Sequence, residues 1–321
     1  MKVDSKIYIA GHNGLAGSAI LRSLKESGFK NILIRDHNEL ELTDQLATSN
    51  FFKTEKPEYV FLAAAKVGGI HANATYPAEF FFQNVSIQTN ILQQSYLNNV
   101  KRLLFLGSSC IYPKDCKQPI KEEYLLSGPL EKTSSPFAVA KISGIEMCSS
   151  YNRQYNTKYL AAMATNLYGH GDNYDLKNGH VMAALIRKFY EAKKENSRSV
   201  TVWGSGNPKR EFIYSDDLAK ACIFLMCLSD EKFDSLLQDD SGTKPYPTIN
   251  IGTGEEVSIK DLSLLISKIT GYTGEVVFDE TKPDGALRKL LDVSILKQLG
   301  WSSKISISEG IEKALQEFNT P

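Results

Sequence analysis

Four short apolar runs, KIYIAG, NILIR, EYVFLAAA and KRLLFLGSS, follow one another in the first third of the chain, each separated from the next by a segment of helical periodicity. Strands with so little polar alternation need cover on both faces, and a parallel sheet sandwiched between helices supplies it. In the first helical segment Ala16, Ile20 and Leu24 recur four residues apart, which puts one apolar stripe against a sheet. Gly28 then stands where a helix ends in the left-handed region. The expected fold class is α/β, a doubly wound parallel sheet of the Rossmann type with a smaller α/β substrate domain.

The chain has 321 residues, enough for two domains at about 150 residues each. From about Gly171 the regular alternation loosens: DNYDLKNGH, a helix through HVMAALIRKFYEAKK, the short strand SVTVW, then REFIYSDDLAKACIFLM. The polar stretch DSGTKPYPT, NIGTG, a helix from Ile259 to Thr270 and a last helix from Ser308 to Phe318 follow. The expected division is a dinucleotide-binding domain over 1–170, with returning segments near 208–227 and 246–252, and a substrate domain over 171–321. No fixed-period repeat interrupts this pattern.

Composition removes several function classes. Lys plus Arg and Asp plus Glu number 37 each, so no global field draws the chain to nucleic acid or to an anionic membrane. No run approaches the ~18 apolar residues of a membrane span, and the N-terminus enters a strand pattern without a signal-peptide core. Five cysteines (Cys110, Cys116, Cys148, Cys222 and Cys227) form no CxxC pair, which argues against a disulfide framework and a metal site. A cytoplasmic protein is expected.

Gly11, Gly14 and Gly17, in GHNGLAG, sit between the first strand and the first helix. Glycines there permit the tight turn and bring backbone N–H groups to a pyrophosphate at the helix N-terminus. At the end of the second strand Arg35 precedes Asp36. A carboxylate would take the ribose hydroxyls of NAD, whereas a guanidinium pairs with the 2′-phosphate of NADP. Arg35 is favoured, and with it NADP(H). A solvated strand-end arginine is the alternative.

Farther along stand SSCIYP, with Ser108 and Cys110, and SSPFAVAK, with Phe137 four residues before Lys141. Taken alone, Ser108 reads as a helix-cap hydroxyl, Lys141 as a surface lysine, Cys110 as a small buried hydrophobe and His180 as a helix-start cap. The set GHNGLAGSAI, FLAAAKVGGI, LFLGSSCIYP, TNLYG, WGSGNPKREF and KPDGALRKLLDV changes that weighting. Together these segments, running from about Lys6 to Phe318, resemble the GDP-L-fucose synthase branch of the extended short-chain dehydrogenases/reductases.

The resemblance implies an NADPH-dependent homodimer that epimerises C3 and C5 of a GDP-4-keto-6-deoxysugar and then reduces C4. It makes Ser108 the hydrogen-bond partner of the 4-keto oxygen and Lys141 the holder of the nicotinamide ribose. Phe137 occupies the place of the tyrosine that hands a proton to the new alkoxide, so reduction is expected to be impaired. Cys110 and His180 take the places of the two groups that remove and return protons beside the carbonyl. Asn13, Leu15, Ala63, Ala64, Ala65, Asn166 and Leu167 join the glycines, Lys141 and His180 as cofactor contacts. Lys188, Arg210 and Lys282 are the cations for the GDP end, with Trp203 as an aromatic wall. Subunit pairing through Ala78 to Asn98 and Phe137 to Tyr155 is also implied.

Departures from the branch cluster near the pockets. Asn13 stands where an arginine is common, Ala164 replaces a proline, His170 and Gly171 replace proline and histidine, and GALRK replaces GTPRK. A different ketosugar, such as a heptose, fits these changes. A 4,6-dehydratase would need an acid after the Ser/Thr, where this chain has Ser109 and Cys110. The remaining alternative is a noncatalytic protein that binds cofactor and nucleotide sugar.

Overall fold

A computed structural model describes residues 1–176, 179–239, 242–282 and 284–318. Asn178 of NGHV, Pro283 of KPDG, and Asp240 and Ser241 of the polar stretch lie outside the described residues. The apolar runs form β1 (Ile7–Ala10), β2 (Ile32–Leu33), β3 (Tyr59–Leu62) and β4 (Arg102–Ser108). A fifth strand, β5 (Tyr159–Ala164), and a late one at Thr248–Ile251 complete an all-parallel sheet. Its order is Thr248–Ile251, β5, β4, β3, β1, β2. The doubly wound α/β fold read from the sequence is therefore observed. NILIR contributes only Ile32 and Leu33 to the sheet.

Alternate residues of each strand enter different cores. Ile7, Ile9, Phe61, Leu104 and Leu160 face the helices α1 (Leu15–Glu26) and α7 (Ser215–Cys227), while Tyr8, Val60, Leu103, Phe105 and Tyr159 face the other side. That second side is covered by α2 (Gln45–Glu55), α4 (Pro77–Leu97) and α5 (Ser135–Tyr155), with the short α3 (Ile70–Thr75) leading into α4. The α1 stripe works as its spacing implies: Ile20 and Leu24 are fully buried, and each contributes about 1.5–3 kcal/mol by leaving water. Gly28, at φ +83°, turns the chain after α1.

The second lobe has its own core around α6 (Val181–Lys194) and the helices Ile259–Thr270 and Ile307–Phe318. Strand Ser199–Trp203 runs parallel to Glu275–Asp279 in this lobe. Three short segments link the lobes to the sheet edge. Asn166–Tyr168 pairs with Phe212–Tyr214. Lys209–Arg210 pairs with Arg288–Lys289. The backbone of Ile120, in the loop after β4, bonds to Leu290 and Asp292. Among the described residues, no helix is long and apolar enough to cross a membrane.

Candidate active site

In an open parallel sheet the ligand crevice lies at the carboxyl ends of the strands where the winding direction reverses. Here that reversal falls between β1 and β3, whose ends carry Gly11 and Ala63 to Ala65. Gly11 adopts φ +86°, and a Cβ on it would lie 2.6 Å from the Ala64 backbone. A Cβ on Gly17 would lie 2.0 Å from the Gly11 carbonyl oxygen. Neither position tolerates a side chain. Gly14 opens α1 with no side-chain cap and no acidic residue in the first turn, so its N–H groups and positive end face outward uncompensated. Asn13 is exposed and Leu15 half-buried at this turn. The cradle fits the diphosphate of a dinucleotide.

The two candidates for reading the adenosine ribose are differently employed. Asp36 accepts hydrogen bonds from the backbone N–H groups of Asn38 (2.8 Å) and Glu39 (3.0 Å), so its carboxylate folds its own loop. Arg35 lies over the Phe51 ring and donates to Glu55 at 2.6 Å. Glu55 also pairs with Lys6 at 3.0 Å. Glu55 lies at the end of α2 and Lys6 before β1, so Arg35 would have to exchange Glu55 for a 2′-phosphate in order to hold one.

Ser108 ends β4 in register with Ala164 at the end of β5. Its hydroxyl accepts from the Cys110 N–H at 3.3 Å, so the cap read from sequence exists, on a single 3₁₀ turn that aims Cys110. Lys141 is not at the surface. It is 3 % exposed and donates to the Leu106 carbonyl of β4 at 2.8 Å. Burial pushes its ammonium down to about 7. Phe137, one helical turn earlier, is 8 % exposed and meets the Phe80 ring edge-on at 6.4 Å, in an apolar cluster with Ala72 and, partly, Cys110.

Lys289, which the motif reading did not single out, reaches this group from the other lobe. Its Nζ donates to the Cys110 Sγ at 3.8 Å. Burial alone would raise the thiol's pKa. The Lys289 charge and hydrogen bonds with Ser108, Lys289 and Ser134 outweigh it and hold the pKa below the ordinary value. Lys289 is the register partner of Arg210, and Glu211 pins the strand by accepting from the Leu291 N–H at 3.0 Å and the Gly254 N–H at 2.7 Å. No local spacing announces a contact across such a distance in sequence.

His180 stands at the N-cap of α6, but its side chain caps nothing. It is exposed to solvent, and desolvation by neighbouring protein lowers its pKa, which favours the neutral imidazole. Lys188 and Lys282 converge on Trp203, with ammonium groups 5.5 and 5.8 Å from the ring centroid. Trp203 is 63 % exposed, which removes core packing as its purpose. The WGSG and KPDG motifs meet because Asp284 accepts from both the backbone N–H (2.7 Å) and the hydroxyl (2.8 Å) of Ser205. Burial, outweighing Asp284 and Cys110, lowers the pKa of Arg210. The Asn166 amide is committed to the Glu211 carbonyl at 2.7 Å, and Leu167 packs into the sheet core.

Comparison with known proteins places the chain among sugar-nucleotide enzymes of this fold. Residues 7–235 match the model of the NAD dependent epimerase/dehydratase family. The chain is 50 % identical over 314 residues to a GDP-L-fucose synthase of Escherichia coli (strain K12), covering 98 % of this chain and 96 % of that one. Among solved structures it resembles a GDP-6-OMe-4-keto-L-xylo-heptose reductase from C. jejuni, at 41 % identity and TM-score 0.93 over 99 % of this chain and 98 % of that one. It also resembles a GDP-D-glycero-L-gluco-heptose synthase from Campylobacter jejuni in the presence of NADPH, at 40 % identity and TM-score 0.92 over the whole of both chains. The chain is a member of the NAD dependent epimerase/dehydratase family and, within it, of the GDP-L-fucose synthase family.

Proposed function

We propose that the chain acts on a GDP-linked 4-keto-6-deoxysugar, exchanging protons at C3 and C5 and reducing C4 with NADPH, the reduction being slowed by Phe137. The observation that carries this reading is the polar group around Cys110. A thiol held below its ordinary pKa by Lys289 stands beside Ser108 at the carboxyl end of β4, in the same parallel sheet whose β1 leads into the glycine turn. The identity to a GDP-L-fucose synthase supports the GDP-sugar substrate.

In this reading Ser108 hydrogen-bonds the C4 carbonyl oxygen and steadies the charge that develops there. Cys110 and His180 hold one proton between them. One group accepts a proton from the carbon beside the carbonyl, and the other returns one to the opposite face. Lys289 stabilises the thiolate form of Cys110. Lys188, Lys282 and Arg210 neutralise the diphosphate, and Trp203 walls the nucleotide or sugar. NADPH bound along Gly11, Gly14 and Gly17 would supply hydride to C4. Lys141 orients its ribose from α5, and Arg35 takes the 2′-phosphate.

The division of labour follows the lobes: 1–170 with 208–227 and 246–252 for cofactor, the rest of 171–321 for the sugar nucleotide. The protein works in the cytoplasm as a homodimer through α4 and α5, where Phe82 (67 %) and Leu97 (55 %) are exposed. A heptose-linked ketosugar is the second reading, supported by the likeness to the heptose reductase. Incubating Phe137→Tyr with GDP-4-keto-6-deoxymannose and NADPH, then identifying the product by NMR, tests the first. A C4-reduced sugar inverted at C3 and C5 is expected. Unchanged ketosugar overturns the reading, and turnover of only the heptose analogue replaces it with the second.

A further inference from the structure

We propose that this chain uncouples the two halves of the reaction: it inverts the carbons flanking the C4 ketone and releases the epimerised 4-ketosugar for a separate NADPH-dependent reductase. The proposal rests on the reading of the pocket as a GDP-4-ketosugar site and specifies its product.

The two halves place different demands on acid at O4. In epimerisation a base takes a proton from C3 or C5, and the C–H electron pair becomes part of an enolate whose charge is shared between carbon and O4. A proton then returns to the opposite face and the carbonyl is restored. Nothing is oxidised or reduced. The enolate needs only a hydrogen bond at O4, which Ser108 can give. In reduction a hydride ion adds to C4 and the carbonyl becomes an alkoxide with no delocalisation, which must take up a proton as it forms.

The structure equips the first demand and not the second. Cys110 has Lys289, Ser108 and Ser134 around it, and His180 stands at the start of α6 with its side chain uncommitted to capping the helix. Where the acid for the alkoxide belongs, Phe137 packs edge-on to Phe80 beside Ala72, surroundings suited to a phenyl ring. Lys141 points its Nζ at the Leu106 carbonyl, and the Lys289 ammonium is directed to the Cys110 sulfur. Ser108 could lend a proton but would itself be left as an alkoxide. Loss of one positioned acid costs about 10²–10⁴ in rate, and here that cost falls on the hydride half.

This also locates the chain between two reaction classes. A 4,6-dehydration of a GDP-hexose must supply its substrate, since the ketone has to exist beforehand. A hydride-transferring reductase must consume its product, because the ketone survives.

The test uses the unaltered chain with GDP-4-keto-6-deoxymannose in D₂O. Deuterium at C3 and C5 is read by mass spectrometry after borohydride trapping, and NADPH oxidation is read in a parallel sample. More than about 10² exchange events per NADPH oxidised is expected, falling below about ten in Phe137→Tyr. Comparable exchange and oxidation by the unaltered chain would overturn the proposal. So would a ketosugar recovered without label while Phe137→Tyr still reduces it, which identifies a reductase without epimerase activity. If Phe137→Tyr neither labels nor reduces this ketosugar, the substrate reading itself fails along with the proposal.

Discussion

The Lys289 ammonium and the Cys110 thiol lie 3.8 Å apart although 179 positions separate them in the chain. One sits on a strand of the second lobe and the other on the turn that ends β4. The surroundings of this thiol are therefore assembled from both lobes, and its acidity reports whether they are correctly joined. Removing the charge should raise the Cys110 pKa, because burial then acts with less opposition. Lys289→Gln is expected to shift the pH profile of iodoacetamide alkylation at Cys110 upward and to slow deuterium exchange into the ketosugar. An unshifted alkylation profile would mean the lysine does not tune the thiol.

Cofactor preference should reside in Arg35. Hydrogen bonds to a charged group are each worth about 1.5–3 kcal/mol, so Arg35→Ala is expected to weaken NADPH binding roughly ten- to hundredfold. NADH binding should change little, since Asp36 is committed to the N–H groups of Asn38 and Glu39. Fluorescence titrations of both nucleotides read this without turnover. Equal losses for the two would remove the 2′-phosphate role.

Gly17→Ala sets two effects against each other. Alanine favours the helical backbone by about 0.5–1 kcal/mol, but its Cβ would stand 2.0 Å from the Gly11 oxygen, an overlap of the kind that costs about 1–3 kcal/mol. The clash should win. A lower Tm and lost NADPH binding are expected, and an unchanged Tm with normal binding would show that the cradle is looser than described.

Asp172 gives a pH dependence of stability. Burial, opposed by the Asn173 N–H and aided by Glu317, pushes its carboxyl up to about 7 from 3.8. Glu317 is itself held by His170 at 2.8 Å and by the Gly171 N–H at 2.9 Å, which ties the last helix to the loop after Tyr168. A folded pKa above the unfolded one contributes stability that is fully present below the unfolded value. That contribution is lost as pH rises through the folded value. Tm should therefore fall between about pH 4 and 7 more steeply than in Asp172→Asn. Parallel curves would contradict the assignment.

What the sequence made legible follows the range of the forces involved. The parallel sheet and the α1 stripe rest on local periodicity and stand as read, and the tight turn at Gly11 and the close packing at Gly17 follow from steric rules. The burial of Lys141 contradicts its reading as a surface lysine taken alone, because helix spacing fixes a face but not what covers it. Trp203 fails its core reading for a complementary reason: Asp284 fastens its loop at the surface. The Arg35–Glu55 pair and the reach of Lys289 depend on tertiary neighbours that no window of sequence contains. Shortening of NILIR to two paired residues shows apolar content exceeding what an edge position can pair.

Whether the missing phenolic hydroxyl limits this protein is decided by the rate of NADPH oxidation with saturating GDP-4-ketosugar in the unaltered chain and in Phe137→Tyr. A gain of about 10²–10⁴ on restoring the hydroxyl is the expected result. Equal rates in the two proteins would contradict it.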